Sequence, residues 1–386
     1  MALDRDYYKT LGVPTDADAQ TIRTAYRKLA RRLHPDVNPD PSASQQMAAV
    51  NEAYAILSDP EQRASYDARR RRGVRGAKPA NYSEWNATVS LRYAVTDFRS
   101  PVYSIAVSKS GRRVAIGTFD NRVRLLRARD GETLTEILLP GGSIESLRWV
   151  GKDRIVAAGA SEKMYGAWEI CGEEAVRLKG RRAEWVSHLD ISPKGDRLAL
   201  GSVHRTLMVV ATHSGEPLYV RRRHRDAITA VRYAHDGKLI ATGSNDHHVI
   251  LWDAQTGYEL GVFGPFPTSI TNVAFSGDDT LLAVGLVDHG IRVLRIHDGT
   301  VIAAFRPHDK PLEQLRFHPK AQVLASASRD GRVRLWDSAT GNRLAETAPL
   351  QGPVKAIAFS PSGKRLFAGG LGKELHAYDV VVAKRN

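Results

Sequence analysis

ITAVRYAHDGKLIATGSNDHHVILWDAQTGYELGVF, residues 228–263, holds four short apolar runs parted by the turn dipeptides DG, ND and TG. Short runs rich in β-branched and aromatic residues between such turns read as strands, so the stretch predicts a small antiparallel sheet. The same unit returns along the chain. The aromatic or aliphatic residue closing each IAVS-like run stands at Val107, Trp149, Ile191, Tyr233, Phe275, Phe317 and Phe359, every interval being 42 residues. Glycine keeps that register at Gly117, Gly159, Gly201, Gly243, Gly285 and Gly369, with Ala327 as the single exception. A third series runs Leu126, Trp168, Val210, Trp252, Leu294, Trp336 and Tyr378. Seven units without an insertion between these markers define a repeat array in which each unit buries its apolar faces against its neighbours.

Four strands every 42 residues fit the blade of a β-propeller. LIATGSNDHHVILWD at 239–253 and VLASASRDGRVRLWD at 323–337 resemble the WD-repeat family. That resemblance implies a buried hydrogen-bond set bracing a blade: His224, Ser244, Asp246 and Trp252 in one, His308, Ser328, Asp330 and Trp336 in another. Such sets are scaffold rather than catalytic triads, because buried polar groups need partners and a closed network both satisfies and orients them. Where the family has Asp, this chain has Glu169, Ala211 and Arg295, which weakens the polar bracing there but keeps the apolar register. The last unit, ending ELHAYDVVVAKRN, stops before its fourth strand, while a spare strand-like segment, ATVSLRYAV at 87–95, precedes the first unit. Residues 87–95 are therefore expected to complete the seventh blade, so that both ends of residues 84–386 lock one sheet and an exposed edge is removed.

Residues 1–68 have a different period. Ile22, Tyr26, Leu29 and Leu33 make one apolar helical stripe, and Met47, Val50, Tyr54 and Leu57 make another. The two predict an antiparallel helical hairpin, capped at Asp16 or Asp18, with Tyr7, Leu11 and Tyr66 completing a small core. The outer face of the first long helix carries Arg23, Arg27, Lys28, Arg31 and Arg32, five of the eight basic residues in the segment. His34-Pro35-Asp36 follows at once, and Pro35 restricts His34 and helps stop the helix.

DYYKTLGV at 6–13, AYRKLARRLHPD at 25–36, NEAYAILSD at 51–59 and PEQRASYD at 60–67 together resemble the J-domain family, in order and without a gap. The resemblance implies a partner, an ATPase chaperone of the DnaK type. In that family the basic helix docks on an acidic surface, which here assigns docking to Arg23, Arg27, Lys28, Arg31 and Arg32. It assigns the activating trigger to His34, Pro35 and Asp36. The expected chain is thus multidomain, α plus all-β: a small antiparallel helical J domain at 1–68, a basic flexible linker at 69–83 and a seven-bladed WD-repeat propeller at 84–386.

Composition narrows the remainder. Formal charge is +14, yet residues 1–68 carry a net of −2 and Arg69 to Arg72 add +4, so most of the excess lies in the propeller. Lys179, Arg181 and Arg182 precede the third blade and Arg221, Arg222, Arg223 and Arg225 the fourth, 42 residues on, which places them on one rim as a candidate basic patch for an acidic protein. No nucleic-acid motif accompanies this charge, and nucleic acid is not expected among the partners. The single cysteine, Cys171, excludes an intrachain disulfide framework and any Cys-based zinc cluster. The histidines lack metal-ligand spacing on a shared element, and Gly369-Gly370-Leu371-Gly372-Lys373 lacks the spacing of a phosphate loop. Neither metal, cofactor nor enzymatic activity is expected. Met1 to Lys9 shows no apolar leader and no run reaches membrane-span length, so the expectation is a cytoplasmic protein with no membrane partner. Two other functions fit parts of the pattern: a scaffold whose J domain only docks, and a nucleic-acid-associated adaptor using the basic charge.

Overall fold

The computed structural model describes residues 7–14, 17–33, 83–139, 144–150, 154–161, 164–171, 174–178 and 185–385, and positions 47, 50, 51, 53, 54, 56–59 and 63. The chain divides into two compact units, Met1–Ala80 and Asn81–Asn386.

In the first unit Tyr7–Leu11 forms a short helix (α1) and Ala19–Leu33 a longer one (α2). Asp18 caps α2, its Oδ1 accepting the Thr21 N–H at 2.7 Å. From α2, Ile22 is fully buried and Tyr26 and Leu29 pack half-buried beside it, against Val50, Ala53 and Leu57. The described positions from 47 to 58 are helical, and Tyr54 stacks on Tyr26 with ring centroids 4.0 Å apart. The core tyrosine is Tyr8, 1% exposed, while the neighbouring Tyr7 is only partly buried. Tyr7, expected in the core, packs at its edge: adjacent residues of a helix point about 100° apart, so with Tyr8 facing inward Tyr7 lies to the side. Arg63 covers the Tyr8 ring, donating from Nε to its hydroxyl at 2.9 Å and from Nη2 to the Ala17 carbonyl at 2.6 Å. Tyr66 lies outside the described residues, as does all of the linker stretch except residue 83.

The second unit is seven four-stranded antiparallel sheets. Six take their strands in sequence, beginning with Val102–Val107 in blade 1 and Ser146–Val150, Val186–Ile191, Ile228–Tyr233, Ile270–Phe275 and Leu312–Phe317 in blades 2 to 6. Blade 7 joins Val354–Phe359, Arg365–Gly370 and Leu375–Lys384 to Trp85–Val95 from the start of the unit. Trp85 pairs with Lys384 and Val95 with Leu375, with a register shift between Leu91 and Tyr93. Further bonds tie this strand down. Tyr93 Oη and Arg365 Nη1 both donate to the Ala128 carbonyl of blade 1, at 3.0 and 2.8 Å. Ser83 donates to the buried Asp337 carboxylate of blade 6 at 2.5 Å.

The apolar core lies between sheets rather than within any one. Ala241, Val249 and Leu251 of blade 4 pack on Ile270, Val273 and Phe275 of blade 5, and equivalent clusters follow around the ring. This explains the glycine series. A Cβ on Gly243 would lie 2.4 Å from Ile270 Cγ2 of the next blade, and one on Gly201 2.6 Å from Ile228 Cγ2. Each of these glycines lets the following sheet approach closely enough to exclude voids. No helix among the described residues is long and apolar enough to cross a membrane.

Candidate functional site

On the first unit, Arg23, Arg27 and Lys28 are exposed on α2, away from the buried Ile22. Arg31 and Arg32 continue the same helix, though their side chains lie outside the described residues, as does the whole of His34, Pro35 and Asp36. What the structure supplies is three exposed cations on α2, a helix whose Ile22, Tyr26 and Leu29 pack into the core of this unit.

On the propeller, blades 4 and 6 each contain a closed polar set. His224 Nδ1 meets Asp246 Oδ2 at 2.9 Å, its Nε2 meets Thr242 Oγ1 at 2.7 Å, and the Trp252 indole N–H donates to the same hydroxyl at 2.9 Å. Blade 6 repeats this with His308 to Asp330 at 2.8 Å, His308 to Ser326 at 2.7 Å and Trp336 to Ser326 at 2.8 Å. The bridging hydroxyls are therefore Thr242 and Ser326, not Ser244 and Ser328. Ser244 and Ser328 sit one pleat further along, at the strand end, where they accept the Asp246 and Asp330 N–H and donate to the Asp226 and Lys310 carbonyls. Only the mid-strand position reaches both the imidazole and the indole.

With a neutral ring, Nδ1–H donates to the carboxylate and Nε2 accepts from the hydroxyl; in blade 6 Arg334 Nη1 also meets Asp330 at 2.6 Å and lies against His308 Nδ1. Burial pushes both His224 and His308 below the ordinary imidazole value, against the raising influence of their aspartates. Asp246 stays below the usual carboxylate range; burial would raise it, but the Arg225 N–H and His224 outweigh that. Each set braces its blade. Blade 2 lacks the device. It has Ala158 where blade 4 has Thr242, and the buried Trp168 indole N–H has no partner among the described residues.

The candidate basic patch is brought together only in part. Lys179, Arg181 and Arg182 lie outside the described residues. Arg221 is committed to structure, donating to the Gly257 and Thr256 carbonyls at 2.8 and 2.7 Å, and Arg223 bonds Glu259 at 2.8 Å. Arg222 and Arg225 remain exposed.

A second basic surface lies where the ring closes. Lys109, Arg112, Arg127 and Arg129 of blade 1 face Lys364 and Arg365 of blade 7 across a groove of about 1450 Å³. Arg127 and Arg129 pair with Asp130 at 3.4 and 3.2 Å, and Arg365 approaches Asp379 at 4.0 Å. Lys109, Arg112 and Lys364 are exposed and have no acidic partner among the described residues. The sequence reading missed this groove because its walls are about 250 residues apart along the chain. A signal existed, since Arg112 and Lys364, like Arg113 and Arg365, occupy equivalent places in the first and last repeats. Among the described residues no group of three or more potential metal ligands is found.

Comparison with known proteins divides the chain at the same place. Residues 6–67 match the DnaJ domain, and residues 92–126, 215–253 and 299–337 match the WD domain, G-beta repeat. Chaperone protein DnaJ of Lacticaseibacillus casei (strain BL23) is 57% identical over 67 residues, 17% of this chain and 17% of the relative. Chaperone protein DnaJ of Thermosynechococcus vestitus is 47% identical over 81 residues, 21% of this chain and 22% of the relative. Chaperone protein DnaJ 2 of Thermus thermophilus is 54% identical over 67 residues, 17% of this chain and 24% of the relative. The chain thus spans less than a quarter of the length of these relatives. Its N-terminal unit carries a DnaJ domain homologous to these chaperones, and its second unit is a seven-bladed WD-repeat propeller.

Proposed function

We propose that the chain is a co-chaperone: its DnaJ domain binds a DnaK-type chaperone and stimulates its ATPase, while the propeller holds the protein to be delivered. The observation that carries this is the DnaJ match over residues 6–67 on a unit whose α2 exposes Arg23, Arg27 and Lys28 opposite a packed core. The HPD triplet, His34 to Asp36, directly follows α2 in the sequence and would supply the trigger. The chain has no reaction or cofactor of its own in this scheme. It biases its partner by binding the hydrolysis-competent state better than the resting one. Exposed charge on α2 speeds encounter more than it deepens affinity, and salt weakens it.

The propeller supplies the second arm. A ring of rigidly held loops suits protein capture, and the three unbalanced cations of the closing groove favour an acidic surface. Joining both arms in one chain raises the effective concentration of chaperone around the captured protein without any new contact. The compartment is the cytoplasm, shared with the chaperone. The test is co-purification with ATP present, using full-length wild type and His34→Gln. A DnaK-type chaperone should accompany the wild type, be released by added salt, and be lost from His34→Gln while proteins held by the propeller stay. Equal recovery of the chaperone on both would refute the scheme.

A further inference from the structure

The first strands of the seven blades carry one equivalent position that points into the axial channel: Arg148, Asp190, Arg232 and Arg316 in blades 2, 3, 4 and 6, with alanine at 106, 274 and 358. All of these residues line one cavity of about 420 Å³. Arg148 Nη2 and Arg232 Nη1 lie 3.6 and 3.7 Å from the same oxygen, Oδ1 of Asp190, close enough for charge pairing but beyond hydrogen-bond reach. The other carboxylate oxygen is taken by the Tyr233 N–H at 2.9 Å. Arg316 has no acidic partner among the described residues, and its one bond, from Nη1 at 3.3 Å, goes to the carbonyl of its own neighbour Leu315. Three guanidiniums thus share one carboxylate.

Roughly fifteen N–H donors, at five per guanidinium, converge on a cavity whose lining holds one carboxylate, Asp190. The Arg148 and Arg232 side chains keep only 28% and 22% of their exposure, so water compensates them incompletely. Burial, and then repulsion from Arg232, presses Arg316 well below the ordinary arginine value. Uncompensated positive charge of this kind marks a place made for an anion.

We propose that the axial channel binds a phosphate-monoester dianion, held by Arg148, Arg232 and Arg316. The net excess of two positive charges in this layer matches a phosphomonoester, which carries about −1.5 to −2 at neutral pH, better than a single carboxylate. Arginines entering from three alternate blades suit a tetrahedral head with three free oxygens, whereas a planar carboxylate is filled by two. Asp190 stands between Arg148 and Arg232, while the alanines at 274, 358 and 106 leave room on the other sides. Lys109 lines the same cavity and adds a donor, while His235, also on its lining, is paired through Nδ1 with Asp279 at 2.9 Å. The phosphate can arrive as a free ion or small ester, or as a phosphorylated side chain of a captured protein.

Calorimetry and thermal melting of the full chain distinguish these, using inorganic phosphate, a phosphoserine peptide, succinate and chloride at constant ionic strength. The expected result is saturable binding of phosphate with a raised melting temperature, weakened about tenfold or more in Arg316→Gln, the loss of one charge-assisted hydrogen-bonding group. Arg316→Lys should weaken it less, and Asp190→Asn should tighten it. A peptide that outbinds inorganic phosphate assigns the site to a protein partner, and the reverse order to a small molecule. No saturable binding, equal stabilisation by chloride, tighter binding of succinate, or an unchanged Arg316→Gln would overturn the proposal. Should a variant fail to fold, the wild-type comparison of phosphate with chloride and succinate decides alone.

Discussion

Thr242 accepts the Trp252 indole N–H and contacts His224 Nε2, so removing its hydroxyl strands two buried groups at once. An unpaired buried donor or acceptor costs about 1–3 kcal/mol, whereas the exchange of a well-solvated bond costs less. Thr242→Val should therefore lower the stability of the propeller by at least about that amount, measured as a shift in urea midpoint. Ser244→Ala loses bonds to the Asp226 carbonyl and the Asp246 N–H, both backbone groups at the strand end beside exposed Asn245, and should cost less than the loss at Thr242, which strands a buried indole and imidazole. Equal effects would mean that the two hydroxyls share the bracing. The sequence identified the histidines, aspartates and tryptophans and grouped Ser244 and Ser328 with them; those serines bond the aspartate N–H groups, while the hydroxyl joining imidazole and indole is Thr242 or Ser326. The reason is physical: residues two apart on a strand share a face, so alternation cannot choose between them. Only the position of the facing indole decides. The same limit applies to Tyr7 and Tyr8, where a single residue decides which ring is buried.

At the scale of elements, the closing strand is the most exposed to test. Trp85–Val95 lies outermost in blade 7, beside Leu375–Lys384, and its Ala87 joins a core cluster with Tyr378 and Val380. Deleting residues 84–96 removes this cover, frees the edge of Leu375–Lys384 and cuts the Tyr93 bond to blade 1. The truncated chain should melt at lower temperature and with a broader transition, seen by calorimetry. A transition unchanged in both midpoint and width would show that the ring holds without it. The strands themselves were legible because turns and glycines recur in register. The basic groove was not, because closing a ring brings together positions that no local pattern connects. Part of the rim patch fared otherwise: Arg221 and Arg223 proved to be bonded to the neighbouring blade, a use of arginine that composition alone does not separate from a docking surface.

For the whole molecule, pH reports on the buried imidazoles. His224 and His308 are buried in their networks, and His318 accepts the Lys320 N–H at Nδ1 while Nε2 faces the Gly363 carbonyl. Burial lowers all three below the ordinary value. The unfolded chain takes up protons near pH 6.5, before the folded chain does, so stability falls as pH drops below about 6.5. Glu145 works in the opposite sense. Burial raises it to about 7, so its folded form is favoured by protonation and its contribution is lost as pH rises towards that value. With four lowered imidazoles, His188 at about 4 among them, against one raised carboxyl, the urea midpoint should fall on acidification from neutral pH to about pH 5, and a rise would contradict the lowering of these histidines. The co-chaperone reading itself rests on the DnaJ domain acting on a motor it does not contain. Its most direct test is single-turnover ATP hydrolysis by the DnaK-type chaperone of the source organism, with full-length wild type or His34→Gln added. Faster hydrolysis with the wild type, and the basal rate with His34→Gln despite identical folding, is the predicted result. A wild-type chain that leaves the rate of each such chaperone unchanged would contradict it.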